Sequence, residues 1–256
     1  MRGTLLNTRE TPLSVDAFLA PLDAAEVKTS GETTRAWLTA ENFLKWTTRE
    51  GYEQLLWKDA AICGADLHPA IIPLHNDIRT ADGRMLVFPR AAGTHLREGD
   101  AGDRFFRLPL ATKLRLIQTV LDGMAAISVA GWVHRDFFDG NVMADFATET
   151  VALYDFELYV QGDGYRLTEF DRDYGSSRLM APEQWRRGAW MDQRTNVYTL
   201  ARFAIQYLSH RRDARWREAF QGSTGLAEVL AAATREEPGD RFQTVAAFVD
   251  AFRAAA

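Results

Sequence analysis

The chain has 256 residues, enough for one large domain or two small lobes. Thirty Lys and Arg against 35 Asp and Glu leave a net charge of −5, which argues against a dedicated nucleic-acid binder with a basic surface. One cysteine, Cys63, excludes an internal disulfide or a multi-cysteine metal site and points to a reducing compartment, and charges interrupt every apolar run well short of the roughly 18 residues of a membrane span.

Residues 1–20 show no clear period and read as a flexible lead or an extra strand. From residue 21 to about 90 the chain is strand-rich. Thr34-Arg-Ala-Trp-Leu-Thr and Asn42-Phe-Leu-Lys-Trp-Thr, full of aromatic and β-branched residues, predict two strands joined at Ala40-Glu41, with Gly31 in the turn before them. Arg49 to Gly64 predicts a helix whose stripe is Leu55, Leu56, Ala60, Ile62 and Cys63. Asp59 falls on or beside that stripe, where a carboxylate costs free energy unless it meets a partner. Ile71–Leu74 and Arg84–Phe88 follow as expected strands, with Asp82-Gly83 as a hairpin signal before the second.

Residues 91–256 are mostly helical. Apolar residues recur at helical spacing at Leu114, Ile117, Leu121 and Met124, again at Val197, Leu200, Ala204, Tyr207 and Leu208, at Leu226, Val229, Leu230 and Ala233, and at Val245, Phe248, Val249 and Phe252. An irregular stretch, Trp132 to Trp185, holds one expected strand pair, Val142-Met143 with Val151–Tyr154. The pattern is α+β, with a strand-rich lobe at 21–90, a helical lobe at 91–256, and an expected ligand cleft between them.

The irregular stretch carries His134-Arg-Asp-Phe-Phe-Asp-Gly-Asn141, then Asp155-Phe156-Glu157, then Ala181-Pro182-Glu183. Upstream, Lys45 ends a strand and Asp59 follows on a helix. This order of Lys, helix carboxylate, HRDxxxxN, DFx and APE resembles the eukaryotic-type Ser/Thr protein kinase family over residues 24–256. The resemblance implies a bilobal kinase-like fold and phosphoryl transfer from ATP with Mg²⁺. Phosphoryl transfer needs the phosphate charge neutralised and the nucleophile aligned. By resemblance Lys45 holds the α- and β-phosphates and Asp59 holds Lys45. Asn141 and Asp155 supply hard oxygen ligands to Mg²⁺. Asp136 takes or orients the proton of a substrate hydroxyl. Phe88 backs the nucleotide pocket, Pro89 offers a carbonyl to adenine, and Ala91 offers an N–H. Glu183 is expected to pair with Arg241, His134 and Phe156 to join an apolar stack with Cys63, and Ser176 to lie in the substrate-binding loop. Phosphorylated Ser176, Ser177, Thr168 or Tyr174 would dock on Arg135.

The chain departs from that family in several places. Gly31 stands alone where a three-glycine phosphate loop is usual. Phe43 replaces a small residue against adenine, and Phe138 replaces a Lys that reaches the transferring phosphate. Glu157 replaces a Gly, which restricts its turn. Asn196 replaces an Asp that hydrogen-bonds the catalytic loop, with no charge to strengthen the bond. The leading expectation is a cytoplasmic Ser/Thr protein kinase using ATP and Mg²⁺, with a protein substrate and no nucleic-acid or membrane partner. A pseudokinase acting as a binding or scaffold module is the alternative, and a small-molecule kinase a further one.

Overall fold

The computed structural model describes residues 6–27, 34–168, 176–209 and 213–256. Helix and strand are mixed, with an antiparallel sheet of five strands, an α+β architecture. The chain divides into two compact units. One comprises Met1–Ala92 with Asp155–Glu157, the other Gly93–Tyr154 with Leu158–Ala256.

The first unit is built on the sheet. Strands β1 (Ala25–Val27), β2 (Thr34–Leu38), β3 (Asn42–Thr48), β4 (Asn76–Arg79) and β5 (Gly83–Pro89) lie in the order β1-β2-β3-β5-β4. Alternation sorts the two faces of β3. Leu44 and Trp46 face a core shared with Trp37, Ile78, Met85 and Val87. Phe43 and Lys45 therefore lie on the opposite face, paired in register with Phe88 and Leu86 of β5. The β4–β5 hairpin turns at Ala81-Asp82. Gly83 is required there, because a Cβ would lie 2.1 Å from the Thr47 carbonyl oxygen.

Three local expectations are corrected. Residues 15–19, read as a lead or an extra strand, form a short helix, Val15–Leu19, capped by the Ser14 hydroxyl. Its Val15, Phe18 and Leu19 cover the Leu44–Trp46 face of the sheet. Residues 9–13 bond along the β4 edge, where the Thr11 N–H donates to the Arg79 carbonyl and the Arg79 N–H to the Arg9 carbonyl. The described part of 1–20 thus belongs to the first unit. Each fully buried aliphatic or phenyl side chain there adds about 1.5–3 kcal/mol over leaving it in water. Ile71–Leu74 is not a strand; the chain pairs later, at Asn76–Arg79. The helix expected from Arg49 is present but not uniform. It is α-helical over Arg49–Gly51, widens to a π-helical stretch over Tyr52–Leu56, and is α-helical again over Trp57–Cys63.

The second unit packs helices Leu110–Val129, Gln193–Leu208, Thr224–Ala233 and Val245–Ala255 against one another. Asp192, Ser223 and Thr244 cap the last three. The expected strand pair is Val142–Asp145 with Thr150–Leu153, extended by Thr94–His95. Helix Ala101–Arg107 and two-residue strand pairs at 132–133 with 160–161 and 165–166 with 190–191 were not expected. No helix among the described residues is long and apolar enough to cross a membrane.

Candidate functional site

Within the first unit, Lys45 is the centre of an ionic cluster. β3 brings its side chain to the face opposite the Trp46 core, and the helix segment Trp57–Cys63 brings Asp59. The Lys45 Nζ lies 2.7 Å from Asp59 Oδ2, 3.0 Å from Asp155 Oδ1 and 2.6 Å from Glu157 Oε1. The ammonium donates hydrogen bonds to Asp59 and Asp155, while Glu157 meets it as an ion pair without hydrogen-bond geometry. Asp59 is almost fully buried and is satisfied at both oxygens, because its Oδ1 accepts the Phe156 N–H at 2.6 Å. The DFx segment is thereby tied through its backbone to the same carboxylate that holds the lysine. Asp155 is half-exposed, with a side-chain accessibility of 46%.

The cluster shifts its own ionisation. Burial works to lower the Lys45 pKa, but Asp155, Asp59 and Glu157 outweigh it and hold the ammonium well above its ordinary value. Burial raises Asp59 and Glu157 above the usual carboxylate range; their neighbouring carboxylates raise them further, and Lys45 opposes. Burial also pushes the Cys63 thiol well up, which keeps it a neutral, packed group.

Glu157 requires a correction. It was expected to restrict a turn that favours glycine. The left-handed backbone lies instead at Asp155, with φ 69°, a conformation that Asp tolerates better than most residues. Glu157 contributes a third carboxylate to Lys45, a role that its position in DFx did not suggest.

On the same sheet face, the Phe43 ring is partly buried and packs against Phe88 with centroids 6.3 Å apart. Pro89 pairs in register with Asn42, and Ala91 lies just beyond β5 in the first unit. Gly31 lies outside the described residues, as does Tyr174.

The second unit holds the HRDxxxxN loop. Asp136 lines a narrow crevice with Arg135, Ser176, Met180 and Gln184. Asn141 is buried at the end of a 3₁₀ turn, and its Oδ1 accepts the Phe138 N–H at 3.1 Å. The Arg135 guanidinium sits 4.8 Å over the Tyr165 ring. His134 is buried between Phe137 and Tyr159. Neither of its ring nitrogens has a hydrogen-bond partner among the described residues, and burial lowers its pKa to about 3. The loop is instead held by its backbone. The His134 N–H donates to Asn196 Oδ1 at 3.0 Å, and Asn196 Nδ2 donates to the His134 carbonyl at 3.1 Å. A carboxylate at 196 could accept the first bond but not donate the second, so the amide clamps both backbone groups.

Further along, Glu183 and Arg241 form a buried bidentate pair at 2.7 and 2.9 Å, and Thr195 Oγ1 donates to Glu183. Sequence reasoning missed a second ion pair. Arg178 meets Asp139, a loop residue with a side-chain exposure of 3%. No spacing signal joined these two positions.

No family model matches the chain. A stretch of 130 residues is 30% identical to serine/threonine-protein kinase PkaB of Streptomyces coelicolor, covering 48% of this chain and 30% of that protein. The match therefore spans under a third of the relative's length. It supports a distant, kinase-like relationship and no more.

Proposed function

We propose that this protein transfers a phosphoryl group from ATP, with Mg²⁺, to a Ser or Thr hydroxyl of a protein substrate in the cytoplasm. In this reading residues 21–90 correspond to the kinase N-lobe and 91–256 to the C-lobe. The observation that carries it is the Lys45–Asp59 ion pair, with Asp59 also accepting the Phe156 N–H. A buried lysine held by a helix carboxylate, itself tied to the DFx backbone, presents a fixed positive charge to a polyphosphate. The donor set suits a divalent cation in one respect. Asp59, Asp155 and Glu157 offer oxygens within 4.8 Å of one another, and Asp155 is open to solvent. Asp155 would offer an oxygen to Mg²⁺, which when bound neutralises phosphate charge. Asp136 would orient the acceptor hydroxyl and take its proton.

The test is incubation with ATP and Mg²⁺, with phosphate mapped by intact and peptide mass. Wild type is expected to phosphorylate itself or an added protein, and Asp136→Asn to lose transfer while keeping its melting temperature. Equal phosphate on both would sink the assignment.

A second reading, a pseudokinase that binds a protein partner, has its own observation. Three carboxylates already surround the Lys45 ammonium, and Phe43 stands beside Phe88 where adenine would lie. Nucleotide-dependent melting separates the two readings. A ligand at 100 times its Kd stabilises by about 2.7 kcal/mol, so an unmoved transition at millimolar ATP, with and without Mg²⁺, favours the pseudokinase.

A further inference from the structure

Three residues after Asp136 the same loop buries a second carboxylate, which the reading above does not use. Asp139 lies in a 3₁₀ turn, and a carboxylate this buried destabilises a fold unless it is paired and hydrogen-bonded. Its partners are specific. Arg178 Nη2 donates to both oxygens at 3.1 and 3.2 Å, Gln206 Nε2 to Oδ2 at 2.8 Å, and the Tyr207 hydroxyl to Oδ2 at 3.3 Å. Gln206 and Tyr207 belong to helix Gln193–Leu208, a rigid base. Arg178 belongs to the segment leading into Ala181-Pro182-Glu183.

Arg178 also reaches back along its own segment. Its Nε donates to Ser176 Oγ at 3.2 Å and its Nη1 to Gln206 Oε1 at 3.1 Å. The turn after Ser176 is closed by the Leu179 and Met180 N–H groups on the Ser176 carbonyl, at 2.8 and 3.2 Å. Ser176 and Met180 line the crevice that also contains Asp136. Contacts therefore run from the Asp136 loop through Asp139 and Arg178 to the wall of the crevice beside Asp136. Charge-assisted bonds of this kind are about twice as strong as neutral ones and fix orientation as well as distance.

We propose that Arg178 is a positioning residue for the acceptor. Its pairing with Asp139 fixes segment 176–180 beside Asp136, and so sets how a Ser- or Thr-bearing peptide lies against that loop. This rests on the protein-kinase reading above. On its other side Arg178 lines a cavity of about 210 Å³ with Leu179, Arg202 and Ile205, so truncating it opens onto existing space.

The experiment uses the full chain with ATP and Mg²⁺ and a histone as acceptor, varying each separately. Arg178→Ala is expected to raise the histone KM by about tenfold or more while the ATP KM stays within about twofold, with Arg178→Lys restoring part of the loss. Amide exchange at Leu179 and Met180 should accelerate by about tenfold in Arg178→Ala, with the core of helix Gln193–Leu208 unchanged. Asp139→Asn, which keeps the shape and the Gln206 bond but removes the charge, should show the same split in KM. Equal changes in both KM values, or unaltered exchange at 179–180, would overturn the proposal. A wild type that transfers phosphate normally beside an Arg178→Ala variant of unaltered histone KM overturns this inference alone. A wild type that transfers none overturns the kinase reading and the acceptor role together.

Discussion

Lys45 and Arg241 are each surrounded by acceptors, yet their charge balance is opposite. Arg241 meets one carboxylate, Glu183, and its other N–H groups go to the backbone carbonyls of Arg194, Arg235 and Glu236. One charge faces one charge, the pair is sealed from solvent, and the guanidinium stacks 4.9 Å over the Tyr198 ring. Lys45 meets three carboxylates, so one positive charge faces three negative ones. The first arrangement is electrically complete and suits a structural clamp. The second carries excess negative charge, which a proton or a bound cation would relieve. Arg241 has full hydrogen bonding, whereas Lys45 hydrogen-bonds two of its three carboxylates; charge count and geometry together separate a finished pair from one poised for a ligand.

The largest expected effect comes from breaking the finished pair. Glu183→Gln leaves the Arg241 charge buried without a counter-charge, and removing one partner of such a pair costs about 3–5 kcal/mol. Urea unfolding at neutral pH should show that loss in the midpoint with an unchanged slope. A loss under about 1 kcal/mol would show that the backbone carbonyls alone satisfy Arg241, and the contrast with Lys45 would collapse.

A buried group with no counter-charge at all sets the next effect. His134 is neutral in the fold, with its pKa lowered to about 3 from 6.5. The unfolded chain therefore binds the extra proton first as pH falls. The stability that comes from keeping His134 neutral is complete above about pH 6.5 and is lost progressively down to about pH 3, at about 1.4 kcal/mol per pH unit. His134→Phe, which keeps a ring between Phe137 and Tyr159, should flatten that slope between pH 6 and 4.5 by roughly one proton's worth. An identical slope in the variant would mean that the imidazole is protonated in the fold.

These two sites also show what the sequence carries and what it does not. Lys45, Asp59 and Asp155 were legible because an aromatic, β-branched run, a helix stripe and a short motif each leave a local pattern, although Lys45 lies in the middle of β3 and not at its end. The long helices were legible because their apolar residues repeat at 3.6. The π-helical stretch at Tyr52–Leu56 was not, since its residues satisfy the same stripe. Helix Ala101–Arg107 was missed because Asp100 makes no side-chain cap and the element is two turns long. Two-residue strands such as Trp132–Val133 are too short to show any period. Glu157 was misjudged and Arg178 missed for a common reason. Where a charged side chain finds its partner depends on chain segments far away, and the motif around it reports only its neighbours.

The smallest effect is the most diagnostic, because the same substitution should change sign between the two clusters. Glu157→Gln removes one of three negative charges around Lys45 and leaves two to hold it. Burial and its neighbours raise Glu157 above its ordinary carboxylate value. For a raised carboxylate the folded state binds the proton more tightly than the unfolded chain. Its stabilising contribution is complete below the ordinary value near 4.5 and is lost as pH rises through the folded one. At pH 8 the ionised Glu157 therefore stands as a burden on the fold. Glu157→Gln should stabilise the protein there by on the order of 1 kcal/mol, with the gain shrinking toward pH 4.5. The variant also removes a negative charge 2.6 Å from the Lys45 ammonium, so nucleotide phosphates meet less competition. Titrating ATP with Mg²⁺ against melting temperature should show half-maximal stabilisation at a lower concentration in Glu157→Gln than in wild type. Destabilisation at pH 8 would show that three carboxylates are the settled complement of Lys45, and the two clusters would then be alike in kind.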